Sequence, residues 1–253
     1  MKRVSFIAGG VPRLLASVTD VAEASVAVSC GADIIDAKDP AAGAMGALAP
    51  VAISAIRAAL PAHVVLSATT GDVPVEAAAR IIDAISRVST AGADFVKIAI
   101  LPPGDPHELL DVLAGCDVAH GRRVAVLMAD RLPDMELLPR MPAAGFCGVM
   151  LDTADKASGS LTDIMTPSEL TAFVGRAHDA GLFAGLAGAL RLGHIGSVAA
   201  AKPDVIGFRG ALCRGADRRA RIDRHAVLTV RRAIDETGSA AVPTEQDYAG
   251  AAG

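Results

Sequence analysis

The chain has 253 residues, 52% of them hydrophobic but only 3% aromatic, with no Trp and a formal net charge of −4. That length is close to the roughly 250 residues of a single-domain α/β barrel, and the shortage of aromatics requires a core of Ala, Val, Ile and Leu, the residues that fill parallel strands and their covering helices. The acidic balance excludes a nucleic-acid footprint. The uncharged stretch 40–56 holds two prolines and two glycines and is too short to span a membrane, so a cytoplasmic location is expected.

Residues 1–12 have a basic start, but the apolar run that follows is short and broken by Gly9-Gly10 and Pro12, and reads as an extension before the fold. Short apolar runs then recur, each bounded by turn residues and followed by an Ala-rich segment of helical period. The pattern predicts strands at 14–18, 33–37, 63–68, 95–99, 123–128, 148–151, 182–186 and 205–208. Helices are expected between them, at about 20–30, 50–59, 75–91, 106–118, 134–143, 167–180, 190–201 and 219–235. Eight alternations in one domain-sized chain favour a closed (β/α)8 TIM barrel over an open doubly wound sheet. Gly31, Gly92 and Gly145 precede strands at positions suited to the end of the previous helix. Thr166-Pro167-Ser168-Glu169 combines a capping hydroxyl, a first-turn proline and an acid three residues on, a helix start. The Gly-, Ala-, Ser- and Thr-rich segment 236–253 reads as a tail.

Cys30, Cys116, Cys147 and Cys213 are far apart with no CxxC pair, and the six histidines show no HxxxH or HxH spacing. Ordinary thiols are expected, with no metal and no cofactor.

Barrel chemistry is located at the C-terminal ends of the strands. The chain has five lysines, Lys2, Lys38, Lys97, Lys156 and Lys202, against 19 arginines, and three of the five fall at or just beyond the ends of strands two, four and six. Asp36 and Lys38 share a face of strand two because strand side chains alternate. Lys97 lies inside the apolar run Phe95-Val96-Lys97-Ile98, where desolvation lowers an amine's pKa and prepares it for Schiff-base formation or proton transfer. Asp152 ends strand six and Lys156 follows in the loop. Taken singly, each lysine could equally be a structural ion pair or a surface side chain; three at one rim with two strand-end acids favour function.

The loops after strands seven and eight often hold phosphate in such barrels. Here they carry Gly188-Ala189 and Arg209-Gly210, in which the glycines permit close backbone approach and Arg209 could contact phosphate oxygens. Gly185 reads instead as a packing position. Ser67 and Asp72, at the end of strand three, add a hydroxyl and an acid to the same rim, although Asp72 could simply cap the next helix.

Six phrases in unbroken order, covering roughly 14–234, carry a family resemblance. They are Ala32-Asp33-Ile34-Ile35-Asp36-Ala37-Lys38-Asp39-Pro40, Ser67-Ala68-Thr69-Thr70-Gly71-Asp72-Val73-Pro74, Ala93-Asp94-Phe95-Val96-Lys97, Leu151-Asp152-Thr153-Ala154-Asp155-Lys156, Gly185-Leu186-Ala187-Gly188 and Arg209-Gly210-Ala211-Leu212-Cys213. The sequence resembles the (5-formylfuran-3-yl)methyl phosphate synthase family, which makes the furan precursor of methanofuran. The resemblance implies a metal-free (β/α)8 lyase that joins two molecules of glyceraldehyde 3-phosphate with loss of phosphate and water. It implies Lys38 as the Schiff-base lysine and Lys97 as general acid/base, with Asp36, Asp152 and Lys156 completing the polar cluster. The loop Ala41-Ala42-Gly43-Ala44-Met45-Gly46 departs from it, with alanines where archaeal members lead one to expect an acid and a serine. Another class I aldolase or dehydratase of a phosphorylated sugar, or a non-catalytic barrel subunit, are the alternatives. The expected partner is a small phosphorylated aldehyde, and Ala-rich helices fit a homo-oligomer.

Overall fold

The computed structural model describes residues 10–116, 122–155 and 159–239. Eight strands, β1 Arg13–Val18, β2 Ile34–Ala37, β3 Val65–Thr69, β4 Phe95–Ile100, β5 Arg122–Met128, β6 Phe146–Asp152, β7 Phe183–Leu186 and β8 Val205–Phe208, close in sequence order into one barrel. Every neighbouring pair is parallel, including β8 with β1. The α-helices are α1 Val21–Ser29, α2 Pro50–Ala59, α3 Ala78–Thr90, α4 Pro106–Ala114, α5 Leu161–Ile164, α6 Pro167–Asp179, α7 Ile195–Ala200 and α8 Arg224–Ser239. Among the described residues, no helix is long and apolar enough to cross a membrane.

All eight strands lie within two residues of their expected positions, but the helices depart in instructive ways. The helix expected at 134–143 is a 3-10 turn over Met135–Arg140, because Pro139 and Pro142 remove amide donors and crowd the preceding turn. Helix α4 stops at Ala114, capped by Gly115, short of the expected 118. The segment expected as one helix at 190–201 is a 3-10 turn, Leu192–His194, running into the six-residue α7. The last helix starts at Arg224 rather than 219 and runs to Ser239, so the first residues assigned to the tail are helical. Residues 210–222 instead form an excursion of 3-10 turns, Gly210–Leu212 and Arg214–Ala216, closed by an antiparallel bridge between Cys213 and Ile222. The short α5 was not anticipated. Gly31, Gly92 and Gly145 do adopt positive φ, and Thr166 forms a full capping box with Glu169.

Strand alternation sorts side chains into two layers. One, including Leu14, Ile35, Leu66, Val96 and Ile206, packs outward against the helices. The other fills the barrel with Leu15, Ile34, Val65, Phe95, Val124, Val126, Met150, Phe183 and Val205. The interior is asymmetric. A Cβ on Gly148 would sit 2.3 Å from the Phe183 ring, and one on Gly185 would sit 2.6 Å from Met150 Cγ. Bare backbone on β6 and β7 therefore makes room for two large side chains from neighbouring strands. Gly185 is thus a packing position, but its partner is the barrel interior.

A buried ion pair reinforces the ladder between β8 and β1. Arg209, just past β8, donates to Glu23 of α1 at 2.5 and 3.2 Å, and to the carbonyls of Ser17, Arg218 and Ala220. Glu23 also accepts from Thr19 and from the Ile222 amide. Burial alone would raise the Glu23 carboxyl, yet the Arg209 hydrogen bond and charge and the backbone amides outweigh it, and its pKa lies below the ordinary 4.5. Removing one partner leaves the other charge buried and unpaired. Glu23→Ala is therefore expected to cost about 3–5 kcal/mol in urea unfolding at neutral pH. Because the folded pKa is depressed, this stabilisation is present above the ordinary glutamate range and lost as pH falls through the lower folded value. A loss below about 1 kcal/mol, the range of an exposed pair, would contradict the assignment.

Candidate active site

A cluster of polar side chains occupies the barrel interior toward its mouth. Above the apolar layers, alternation places Ser17 of β1, Asp36 of β2, Ser67 of β3, Lys97 of β4 and Asp152 of β6 facing inward, and Lys38 follows β2; all six are buried. They form two lysine–aspartate pairs. Lys97 Nζ donates to Asp36 Oδ2 at 2.7 Å, and Lys38 Nζ donates to Asp152 Oδ2 at 3.3 Å. Asp36 is fully buried and has three donors, because Ser17 Oγ and Ser67 Oγ each reach it at 3.0 Å. Asp152 also accepts from the Thr153 amide.

Burial drives the Lys97 amine below the ordinary lysine pKa of 10.5, and the nearby charge of Lys38 pushes the same way. The Asp36 and Asp152 carboxylates oppose both without restoring the ordinary value. An ammonium here is stabilised by its carboxylate but deprived of water, so the neutral amine is unusually accessible.

Lys38 and Lys97 line one cavity of about 280 Å³. Its floor is Leu15, Met150 and Gly207, and its outer wall comes from the loops after β7 and β8: Gly188, Ala189 and Arg191 on one side, Arg209, Gly210, Asp217 and Arg218 on the other. The space lies over the glycine-bearing strands β7 and β8, where no interior side chain fills it. Gly188 has φ 111° and Ala189 φ 48°, which turns the chain over the cavity, and among the described residues neither amide donates a hydrogen bond.

The loop after β2 closes the far side. Met45 is fully buried, with its amide on Asp72 at 2.9 Å and its carbonyl on Thr69 Oγ1 at 2.8 Å, and its sulfur sits 3.9 Å from Lys38 Nζ. Its thioether shields the amine from solvent. The loop after β6 is held by Asp130, which accepts from the Ala154 and Asp155 amides at 2.8 and 2.9 Å. Burial tends to raise the Asp130 carboxyl, but those amides bring it below the ordinary range.

The residues singled out in the sequence therefore divide. Lys38, Lys97, Asp36 and Asp152 come together, and Gly188, Ala189 and Gly210 line the same cavity. Lys156 lies outside the described residues. Ser67 is buried beneath the site and holds Asp36 rather than facing the cavity, and Asp72 anchors the β2 loop rather than capping a helix. Arg209 reaches the cavity wall, but its five N–H groups are taken by Glu23 and three carbonyls, so it has no donor left for a phosphate. Ser17, Met45, Thr69 and Asp130 were missed. Ser17 and Thr69 did give a signal, each a hydroxyl two residues beyond another inward position, Leu15 or Ser67, of an apolar strand.

Residues 14–231 match the family model described as 4-HFC-P synthase. A Methylorubrum extorquens relative is 42% identical over 223 residues, spanning 88% of this chain and 92% of the relative. The Methanocaldococcus jannaschii (5-formylfuran-3-yl)methyl phosphate synthase is 36% identical over 226 residues, spanning 85% and 96%. Among solved structures, phosphoribosyl anthranilate isomerase from Thermotoga maritima superposes with a TM-score of 0.62 over 89% of this chain and 99% of that one, at 16% identity, a likeness of fold alone. With a lysine-lined barrel mouth and a match spanning nearly the whole barrel, the chain belongs to the 4-HFC-P synthase family.

Proposed function

We propose that this chain is a lyase that condenses two molecules of glyceraldehyde 3-phosphate into (5-formylfuran-3-yl)methyl phosphate through a Schiff base on Lys38. The observation that carries the reading is the pair of buried lysine–aspartate contacts, 3.3 and 2.7 Å, in one cavity mouth. Lys38 is the better nucleophile of the two because its contact with Asp152 is longer, whereas Lys97 is tethered to a carboxylate itself fixed by Ser17 and Ser67. As the neutral amine, Lys38 attacks the aldehyde carbon; the carbinolamine loses water to give an iminium, which draws electrons from the adjacent carbon. Deprotonation there forms an enamine that attacks the second aldehyde. Lys97 and Asp152 exchange the protons that this addition, the dehydrations and the phosphate elimination require, with Lys156 proposed as a further shuttle. One phosphate and two waters leave for each furan, with no net oxidation, and water releases the product by hydrolysis of the imine. The backbone at Gly188, Ala189 and Gly210 offers the phosphate its close approach.

Incubation with glyceraldehyde 3-phosphate and borohydride, followed by peptide mass analysis, is expected to place a reduced adduct on Lys38 and to show none in Lys38→Ala. Furan absorbance and free phosphate should appear together when borohydride is omitted. An adduct on Lys97 would exchange the two roles, and an unmodified protein that forms no furan would remove the reading. A second expectation concerns pH. With Lys97 as proton donor, kcat/KM falls as that amine loses its proton, so the alkaline limb begins below the ordinary lysine range. Because Asp36 raises the Lys97 pKa, the residual activity of Asp36→Asn should show the limb at still lower pH. A limb that stays in place would separate Lys97 from the titration.

A further inference from the structure

A cavity suited to phosphate esters needs cationic donors, and the arginine nearest in sequence to the expected phosphate loops, Arg209, has none to spare. Its contacts instead fix the excursion after β8: its Nε holds the Arg218 carbonyl at 2.9 Å and its Nη2 the Ala220 carbonyl at 2.9 Å. That brace presents two other guanidinium groups to the cavity. Arg191, in the loop after β7, donates to the Ala216 carbonyl at 2.6 Å. The same group lies against Gly210, where a Cβ would sit 3.5 Å from Arg191 Nη1, 3.2 Å from Ala216 O and 3.8 Å from the Arg218 amide nitrogen. Arg218 reaches the other way, donating to the Gly43 carbonyl of the β2 loop at 3.2 Å. Among the described residues each places one of its five N–H donors on a backbone carbonyl, and neither meets a carboxylate within ion-pair distance.

The local charge agrees. Lys38, Lys97, Arg191, Arg209 and Arg218 line the cavity against only Asp152 and Asp217, in a protein of net charge −4. Arg209 is neutralised by Glu23, and Asp217 turns one oxygen to the Arg219 amide. We infer that Arg191 and Arg218 are the phosphate-recognition residues of the cavity, the guanidinium forks that hold a phosphate monoester at its rim, with Arg209 as the residue that positions them. The inference deepens the proposed function by naming what selects phosphorylated over plain aldehydes. Both side chains reach solvent, so their replacement leaves the core intact, and a guanidinium fork matches phosphate oxygens in a way that a lysine cannot reproduce.

The test uses glycerol 3-phosphate, which has the phosphate but no carbonyl and so cannot form a Schiff base. Calorimetry on the full chain is expected to show binding that weakens about ten- to a hundredfold in Arg191→Gln and in Arg218→Gln, recovers in part in the Arg→Lys variants, and is absent with plain glycerol. With glyceraldehyde 3-phosphate, the same variants should raise KM far more than they lower kcat. Unchanged glycerol 3-phosphate affinity in both Gln variants, or no binding by the wild type, would overturn the inference. A wild type that binds glycerol 3-phosphate through these arginines yet makes no furan would sink the proposed function and leave the phosphate site standing.

Discussion

The site depends on a balance between two opposing terms at Lys97: the loss of water around a buried ammonium and its attraction to Asp36 at 2.7 Å. Desolvation of a lone charge in such a place costs several kcal/mol, and a good partner offsets most of it. Here the offset is incomplete: desolvation outweighs the carboxylate, and the nearby charge of Lys38 adds to it. The amine is therefore lowered without being stripped of its partner. That is the condition for an amine that must gain and lose a proton within one turnover.

The rest of the fold sustains that balance. Ser17 and Ser67 direct two hydroxyls at Asp36, so the carboxylate cannot swing away from Lys97. Met45, pinned by Asp72 and Thr69, places a sulfur rather than water against Lys38. Glycines at 148, 185 and 207 leave room for Phe183, Met150 and Leu15 low in the barrel and keep the mouth above them open. The Arg209–Glu23 pair reinforces the β8–β1 ladder and carries the excursion whose arginines form the outer rim.

Much of this was legible in the sequence because it is local. Strand positions follow from short apolar runs between turn residues, and Lys97 stands out as a charge inside such a run. Lys38 and Asp36 share a face by alternation alone. What failed was non-local or depended on proline. The helix expected at 134–143 ignored Pro139 and Pro142, whose missing amides were visible in the sequence. Arg209 was read as a phosphate ligand because its partner, Glu23, lies 186 residues away and only closure of the barrel brings them together. Met45 and Asp130 act through backbone amides and carbonyls of loops, which no residue pattern announces. Arg191 and Arg218, two among many arginines, gained meaning only once the cavity had walls.

The scarcity of lysine makes the central claim directly measurable. With five lysines in the chain, carbon-13 labelling at lysine Cε resolves each amine by NMR, and a pH titration of the substrate-free protein reports its protonation without any reaction. The account requires the resonance lost in Lys97→Met to titrate below the ordinary lysine range, and to move upward when Lys38→Met removes the repelling charge. Five lysines all titrating at the ordinary value, or a Lys97 resonance indifferent to Lys38, would contradict it.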